Sequence, residues 1–107
     1  MKRIGMMIGI KPEKIDEYKK LHAKVWPEIL RNLTDLNCKN YSIYLHNNIL
    51  FGYMEYHGDN YERDMKKMSA NTKVQKWWSI CGPCQIPLKN RKKGDWWSIM
   101  EEVFHHE

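Results

Sequence analysis

The sequence lacks any run approaching the roughly 18 apolar residues that a transmembrane helix requires. Its N-terminal apolar stretch, within "MKRIGMMIGIKPEK", is only about seven residues long. Lysines follow that stretch and no small-residue cleavage site ends it, so it does not have the pattern of a signal peptide. We therefore expect a single globular domain over residues 1–107, with no membrane segment and no secretory leader.

Cysteine is also scarce, with only Cys38, Cys81 and Cys84. An odd number of cysteines without a secretory signal favours reduced thiols in the cytoplasm. Two of them form "CGPC" (81–84), the motif of thioredoxin active sites, but here the motif follows a predicted helix instead of opening one. A lone CxxC with distant histidines is weak support for zinc. We expect neither redox activity, nor a metal site, nor any other cofactor.

Motifs for phosphate binding and for nucleophilic hydrolysis are absent, since the sequence has no GxGxxG, P-loop or GxSxG. The net charge of +5 comes partly from a basic loop, "LKNRKK" (88–93). Basic patches bind nucleic acid in some proteins, but this one has no interleaved aromatic residues and no recognised nucleic-acid motif beside it. The loop is more typical of a solvated surface, and we expect no nucleic-acid partner.

The rest of the sequence alternates between strand and helix patterns. Pro27 lacks the N–H that a continuous helix needs and predicts a break at 26–27 in the first helix. "HNN" (46–48) predicts the turn of a hairpin. The pattern predicts strands over 2–10, 40–46, 49–57 and 96–107, helices over about 12–36, 59–69 and 71–80, and a loop over 82–95.

This order, β-α-β-β-α-β, predicts a ferredoxin-like α+β fold with a four-stranded antiparallel sheet and both helical regions on one face. The other face of the sheet would have no covering element, because the 107 residues are already used. We therefore expect a homodimer in which two such sheets pack face to face, as in a dimeric α+β barrel.

The first helix carries a histidine between two aromatic residues. Tyr18, His22 and Trp26 recur every four residues, so they share one face of the helix. An imidazole has an ordinary pKa near 6.5, which suits general acid–base catalysis at neutral pH. The alternative is a half-buried histidine whose ring is hydrogen-bonded to a backbone carbonyl. Pro27 disrupts the next turn and would help to shape a cavity there.

Aromatic residues are numerous, including five tryptophans and six tyrosines. Most of them are expected to pack in the core. The adjacent pair Trp77 and Trp78 diverges by roughly 100° on a helix, so one faces the core while the other lines a pocket edge. Flat aromatic surfaces with O–H or N–H donors suit a sugar. The candidates are Tyr18, Tyr41, Tyr44, Trp77, Trp78, Trp96 and Trp97.

Five stretches together resemble the L-rhamnose mutarotase family, which also includes proteins assigned to L-fucose. The "CGPC" segment and the basic loop lie outside these stretches. The resemblance extends over nearly the whole chain and rests on five stretches: "EYKKLHAKVWPEI" (17–29), "NYSIYL" (40–45), "LFGYMEY" (50–56), "VQKWW" (74–78) and "MEEVFH" (100–105).

The resemblance implies an isomerase, a mutarotase that interconverts the α and β anomers of a free deoxyhexose without metal or organic cofactor. L-rhamnose is favoured as the substrate and L-fucose is the alternative. The resemblance further implies that His22 is the proton donor, and that Tyr18, Tyr41, Trp77 and Trp78 contact the sugar.

Three other interpretations stay open at this point. Dimeric ferredoxin-like barrels also host haem-degrading enzymes and small monooxygenases, and a helical histidine could ligate haem. The basic loop could make the chain a nucleic-acid-binding module. Finally, His22 could be a core residue of a non-catalytic dimer.

Overall fold

One antiparallel sheet and four helices make up the chain, and the computed structural model describes all 107 residues. Short 3-10 turns occupy Pro12–Lys14 and Gly82–Cys84. None of the helices combines the length and apolar character needed to span a membrane. In chain order the elements are β1 (Lys2–Ile10), α1 (Ile15–Ala23), α2 (Pro27–Asp35), β2 (Cys38–His46), β3 (Ile49–Tyr56), α3 (Tyr61–Ala70), α4 (Thr72–Cys81), β4 (Gln85–Ile86) and β5 (Ser98–Met100).

The sheet has the strand order β2–β3–β1, and β4 and β5 share the remaining edge of β1. All pairings are antiparallel. β4 pairs with Gly9 and Ile10, whereas β5 pairs with residues 5–7 of the same strand. This order confirms the predicted ferredoxin-like α+β fold, with the fourth strand position divided between two short strands.

Alternate residues of β1 face the helices, as the sequence pattern predicts. Ile4, Met6, Ile8 and Ile10 are all buried, and both buried clusters of the protein include residues from this set. The helical core residues lie on this same face. The opposite face, where Met7 lies beside Phe51 of β3, has no covering element within the chain. The predicted packing of two sheets in a dimer stays a prediction.

A two-residue turn joins β2 to β3. His46 pairs with Ile49, and the intervening Asn47 and Asn48 have φ of 49° and 61°. Positive φ at both central positions is the requirement of a type I′ turn, whose twist matches that of the flanking strands. Asparagine tolerates this conformation better than other residues with a Cβ, so the predicted "HNN" turn is confirmed.

The predicted helix over about 12–36 is divided into α1 and α2 at the predicted place. α1 ends at Ala23, and Pro27 occupies the first turn of α2. Proline is favoured there because its missing N–H would have no partner in the first turn. The preceding Trp26 has an extended backbone, with φ of −57° and ψ of 136°. The break therefore leaves the Trp26 side chain free to turn back towards α1.

Side-chain caps define the two helices of the second region. The Asn60 side chain accepts a hydrogen bond from the Arg63 N–H at the start of α3. The Asn71 side chain accepts from the N–H groups of Lys73 and Val74 at the start of α4, at 2.9 and 3.1 Å. Asn71 is thus confirmed as an N-cap.

The predicted last strand over 96–107 is wrong in extent, because only Ser98–Met100 pairs with β1. Residues 96 and 97 would lie opposite Gly9 and Ile8, but β4 already occupies that end of the edge. Met100 pairs with Gly5, which is close to the start of β1, so few β1 residues remain for the following segment to pair with. The segment after Met100 contacts β1 through a side-chain ion pair, in which Arg3 Nε donates to Glu102 Oε2 at 2.8 Å. Val103 and Phe104 beyond it are exposed.

The predicted loop over 82–95 also needs correction, because it contains β4. A strand of two residues is too short to produce an alternating pattern in the sequence. It forms because a free edge of β1 is available: Ile86 lies opposite Gly9, and the Lys11 N–H donates to the Cys84 carbonyl at 2.8 Å. A Cβ on Gly9 would come within 2.9 Å of the Ile86 carbonyl oxygen, so glycine permits this close approach.

Candidate active site

An aromatic cluster surrounds His22 at the break between α1 and α2. The His22 imidazole stacks on the Tyr18 phenol, with ring centroids 4.1 Å apart and planes inclined by 25°. Trp77 of α4 presents an edge to His22 at 5.4 Å, and Trp26 packs edge-on against Trp77 at 5.0 Å. Tyr18 and His22 share a face of α1 as predicted, but the prediction that Trp26 continues this helical face is wrong, because α1 ends at Ala23. Trp26 joins the cluster instead through its contact with Trp77.

One hydrogen bond fixes the tautomer of His22. Its Nδ1 lies 2.9 Å from the backbone carbonyl oxygen of Tyr18. A carbonyl oxygen can only accept, so Nδ1 must carry the proton and donate. In the neutral ring Nε2 then has a free lone pair, and it makes no hydrogen bond within the chain. His22 is thus both carbonyl-bound, as the core interpretation proposed, and equipped with a basic nitrogen.

Burial lowers the pKa of His22 below its ordinary value, and the hydrogen bond to the Tyr18 carbonyl opposes this change only in part. The physical reason is that a partly enclosed imidazolium loses hydration that the neutral ring does not need. Near neutral pH the ring is therefore predominantly neutral, with Nε2 ready to accept a proton.

A β-bulge positions Tyr41. Between Lys39 and Ser42 the strand β2 contains one residue more than its partner β3, and Asn40 has a positive φ of 50°. The extra residue reverses the alternation, so Tyr41 lies on the helix side together with Ile43, which packs against the core. Asn40 Nδ2 donates to Glu55 Oε1 at 2.8 Å and ties the bulge to the neighbouring strand.

Both site phenols are neutral over a wide pH range. Burial raises the pKa of Tyr18 well above its ordinary value. Burial around the hydroxyl also raises the pKa of Tyr41 to about 12, although 37% of the residue surface is exposed. As neutral phenols, they are able to donate hydrogen bonds at physiological pH.

Trp78 and Tyr44 do not join this cluster. Trp77 is buried, whereas Trp78 is 46% exposed, as expected for adjacent helical residues that diverge. Tyr44 pairs with Phe51 on the opposite face of the sheet and is exposed. Of the four predicted sugar contacts, Tyr18 and Trp77 therefore lie against His22, Tyr41 faces the same side of the sheet, and Trp78 lies outside.

Two further residues complete the cluster: Gln85, which the sequence did not single out, and Trp96, which was not among the four predicted sugar contacts. The Gln85 side chain donates from Nε2 to the Tyr18 hydroxyl at 3.2 Å. The Trp96 indole N–H donates to Gln85 Oε1 at 2.7 Å. Trp96 was only one of many candidate aromatics, and Gln85 belongs to the two-residue strand β4. Its placement depends on the pairing of β4 with β1, which leaves no periodic signal in the sequence.

A groove of about 470 Å³ lies beside the cluster, and its size is within the range of small-molecule sites. His22 does not line the groove, which borders the cluster through Trp26 and Trp77. The lining residues are Glu17, Lys20, Leu21, Lys24, Trp26 and Trp77.

The two thiols of "CGPC" are buried and have raised pKa values, whereas a redox-active pair needs solvent access and a lowered pKa. Cys81 and Cys84 are free and buried. Burial raises the pKa of Cys81 to about 12, and burial together with the Glu17 carboxylate raises the pKa of Cys84. A reactive thiol needs a lowered pKa and access to solvent. Three or more His, Cys, Asp or Glu side chains nowhere meet in a group that could hold a metal ion.

Comparison with known proteins connects this geometry to a family. A model of the L-rhamnose mutarotase family matches residues 3–106. An L-rhamnose mutarotase of Phocaeicola vulgatus is 41% identical, and one of Oceanobacillus iheyensis is 36% identical, each over 98% of both chains. The crystal structure of an L-rhamnose mutarotase from Formosa agariphila is similar over 100% of both chains, with a TM-score of 0.80 and 25% identity.

Proposed function

The chain belongs to the L-rhamnose mutarotase family and is an isomerase of sugar anomers; we propose that its substrate is free L-rhamnose and that His22 carries the reaction. The observation that carries the proposal is the fixed tautomer of His22, which leaves Nε2 as a base inside an aromatic cluster. L-rhamnose is taken from the names of the relatives, and L-fucose is the alternative substrate that the experiment must separate.

The chemistry requires one proton to leave the anomeric hydroxyl and one proton to reach the ring oxygen. His22 Nε2 takes the hydroxyl proton and becomes an imidazolium. The carbon–oxygen bond of the ring breaks, the anomeric carbon becomes an aldehyde, and the imidazolium returns its proton to the former ring oxygen. Rotation about the C1–C2 bond and the reverse steps then close the ring on the other face. The protons balance, and a single histidine serves as base and acid in turn.

The other site residues hold the sugar in this proposal. Tyr18 and Tyr41 are neutral phenols that donate hydrogen bonds to sugar oxygens, while Trp77, which lies against His22 and lines the neighbouring groove, supplies an apolar contact for the C–H groups. Trp78 lies outside the His22 cluster and is 46% exposed, so we assign it a contact with the sugar from the solvent side. Trp26 backs Trp77 and so shapes the wall of the site, in a position that the break at Pro27 makes possible.

We also propose a homodimer and a cytoplasmic location. The face of the sheet with Met7 and Phe51 has no covering element within the chain, which favours pairing with a second copy. All three cysteines are free thiols, which suits a reducing compartment. Sedimentation equilibrium tests the dimer, and a monomer at micromolar concentration would contradict it.

The experiment for the activity is anomer exchange by saturation-transfer NMR, with L-rhamnose and L-fucose in parallel. Wild type should accelerate L-rhamnose exchange, and His22→Ala should lose about 10²- to 10⁴-fold of that acceleration. His46→Ala, which changes an exposed histidine at the end of β2, is the matched control and should retain it. Full activity in His22→Ala would remove His22 from the mechanism, and faster exchange of L-fucose would overturn the substrate assignment.

A further inference from the structure

The hydrogen-bond chain Trp96–Gln85–Tyr18 has only one possible direction. An indole N–H can donate but never accept, so the oxygen of Gln85 must be the atom that faces Trp96 at 2.7 Å. The amide nitrogen is therefore turned to the Tyr18 hydroxyl and donates to it at 3.2 Å. Trp96 thus determines the orientation of an amide whose two ends would otherwise be interchangeable.

That direction determines what Tyr18 does. Its hydroxyl oxygen already accepts a hydrogen bond from Gln85, and its proton is taken by no acceptor within the chain. The amide N–H that faces the hydroxyl cannot receive this proton. Tyr18 is consequently held as a donor, with its O–H directed away from Gln85.

The surroundings make the arrangement rigid. Gln85 is only 8% exposed, and its backbone is held by the pairing with Ile10 in the sheet. Trp96 is 47% exposed, and its Cζ2 lies 4.0 Å from the position that a Cβ on Gly82 would take. A buried amide with both ends bonded has little freedom to rotate.

We propose that Gln85 is a positioning residue, oriented by Trp96, that fixes the Tyr18 hydroxyl as a hydrogen-bond donor to an oxygen of the bound sugar. This inference rests on the proposed function. It assigns a role to the segment next to "CGPC" that the family-like stretches do not include. Gln85 itself does not touch the sugar in this assignment and acts only through Tyr18.

The decisive variants are Gln85→Glu and Gln85→Leu, compared in anomer-exchange kinetics at pH 8, well above the ordinary pKa of a carboxyl group. In Gln85→Glu the carboxylate still accepts from Trp96, but it also accepts from Tyr18 and withdraws the phenol proton from the sugar. KM for L-rhamnose should rise about tenfold or more. In Gln85→Leu the hydroxyl is free to rotate, and KM should rise about fivefold. In both variants kcat should change less than KM.

If Gln85 had only a structural role, KM would change less in Gln85→Glu than in Gln85→Leu. Gln85→Glu keeps the hydrogen bond to Trp96 and would then resemble wild type. A KM for Gln85→Glu within twofold of wild type would overturn the proposal. The second test is a double-mutant cycle: in a Tyr18→Phe background, Gln85→Leu should have no further effect on KM, and an additive effect would overturn the proposal.

Folding is checked by thermal unfolding of each variant. If the Gln85 variants do not fold, Trp96→Phe provides the test, since it frees the amide to rotate and should raise KM about two- to fivefold. An unchanged KM in Trp96→Phe would overturn the role of Trp96 as orienting residue. An inactive wild type would contradict the proposed function itself, whereas an active wild type with an unchanged Gln85→Glu would contradict this inference alone.

Discussion

The His22 imidazole lies almost flat on the Tyr18 phenol, one helical turn away, while its Nδ1 is bound to the carbonyl oxygen of that same tyrosine. Tyr18 thus controls three properties of the histidine: the ring plane, the tautomer and part of its shielding from water. The stacking covers one face of the ring, so Nε2 is reached from its edge.

The pH dependence of the reaction should report this shielding. Burial lowers the pKa of His22, so the basic form of Nε2 persists to more acidic pH than in an ordinary histidine. We expect kcat/KM to fall on the acid side with a midpoint below about 6.5. Tyr18→Ala uncovers the ring and should move the histidine pKa back up, whereas Tyr18→Phe keeps the stacking and should not. NMR titration of the His22 ring measures the pKa. A midpoint at or above about 6.5 in wild type would contradict the lowering of the His22 pKa by burial.

The bulge at Asn40 should depend on the positive φ of that residue. Asn40→Gly retains the conformation, whereas a β-branched residue is strained by about 1–2 kcal/mol or more. Both substitutions lose the hydrogen bond to Glu55, so the difference between them isolates the backbone effect. We expect Asn40→Val to be less stable in urea unfolding than Asn40→Gly and to have a higher KM, because Tyr41 is displaced. Equal stability of the two variants would show that the bulge is not limited by this backbone angle.

The stability of the protein should decline in acid through Asp64. Its carboxylate is buried and accepts hydrogen bonds from the Tyr56 hydroxyl and from Asn37 Nδ2, with Arg63 beside it. The Tyr56 hydrogen bond is the main cause that lowers the pKa of Asp64. As the pH falls, the unfolded chain binds the proton first, near pH 4, and this stabilisation is lost progressively down through the lowered pKa.

Melting temperatures measured between pH 7 and 3 provide the test for Asp64. The comparison is with Asp64→Asn, which cannot lose a charge. The variant should be less stable than wild type at pH 7, and the difference should narrow as the pH falls below 4. A difference that stays constant with pH would contradict the linkage to Asp64.

The thiols should be slow to react in the folded protein. Cys81, with a pKa raised to about 12, contains almost no thiolate at pH 8. We expect the three cysteines to react with a disulfide reagent at least about tenfold more slowly in the native protein than in urea. Anomer exchange should be unchanged after treatment with dithiothreitol. Rapid native labelling of two thiols would reopen the redox interpretation of "CGPC".

Periodic features were predictable from the sequence, and features that depend on contact between distant segments were not. Alternation in β1 and the helical spacing of Tyr18 and His22 follow from local geometry, and so does the break at Pro27. The extent of β5 and the existence of β4 depend instead on which part of the β1 edge is free, which a single segment cannot reveal.

The same distinction applies to the site. His22 was a candidate because its neighbours repeat along a helix. Gln85 could not be predicted, because its amide reaches Tyr18, 67 residues away in the chain, only through the pairing of β4 with Ile10. The bulge at Asn40 also leaves no pattern in the sequence, although it determines that Tyr41 lies on the helix side of the sheet.

The hydrogen bond between Gln85 and Trp96 also joins the two ends of the loop that contains the basic stretch 88–93. Since both ends of this loop are anchored on the edge of β1, residues between them are free to change in number and charge at little cost to the rest of the fold. The loop is therefore a segment in which insertions and substitutions are tolerated. Relatives could diversify this rim in evolution while the hydroxyl beneath it keeps its orientation.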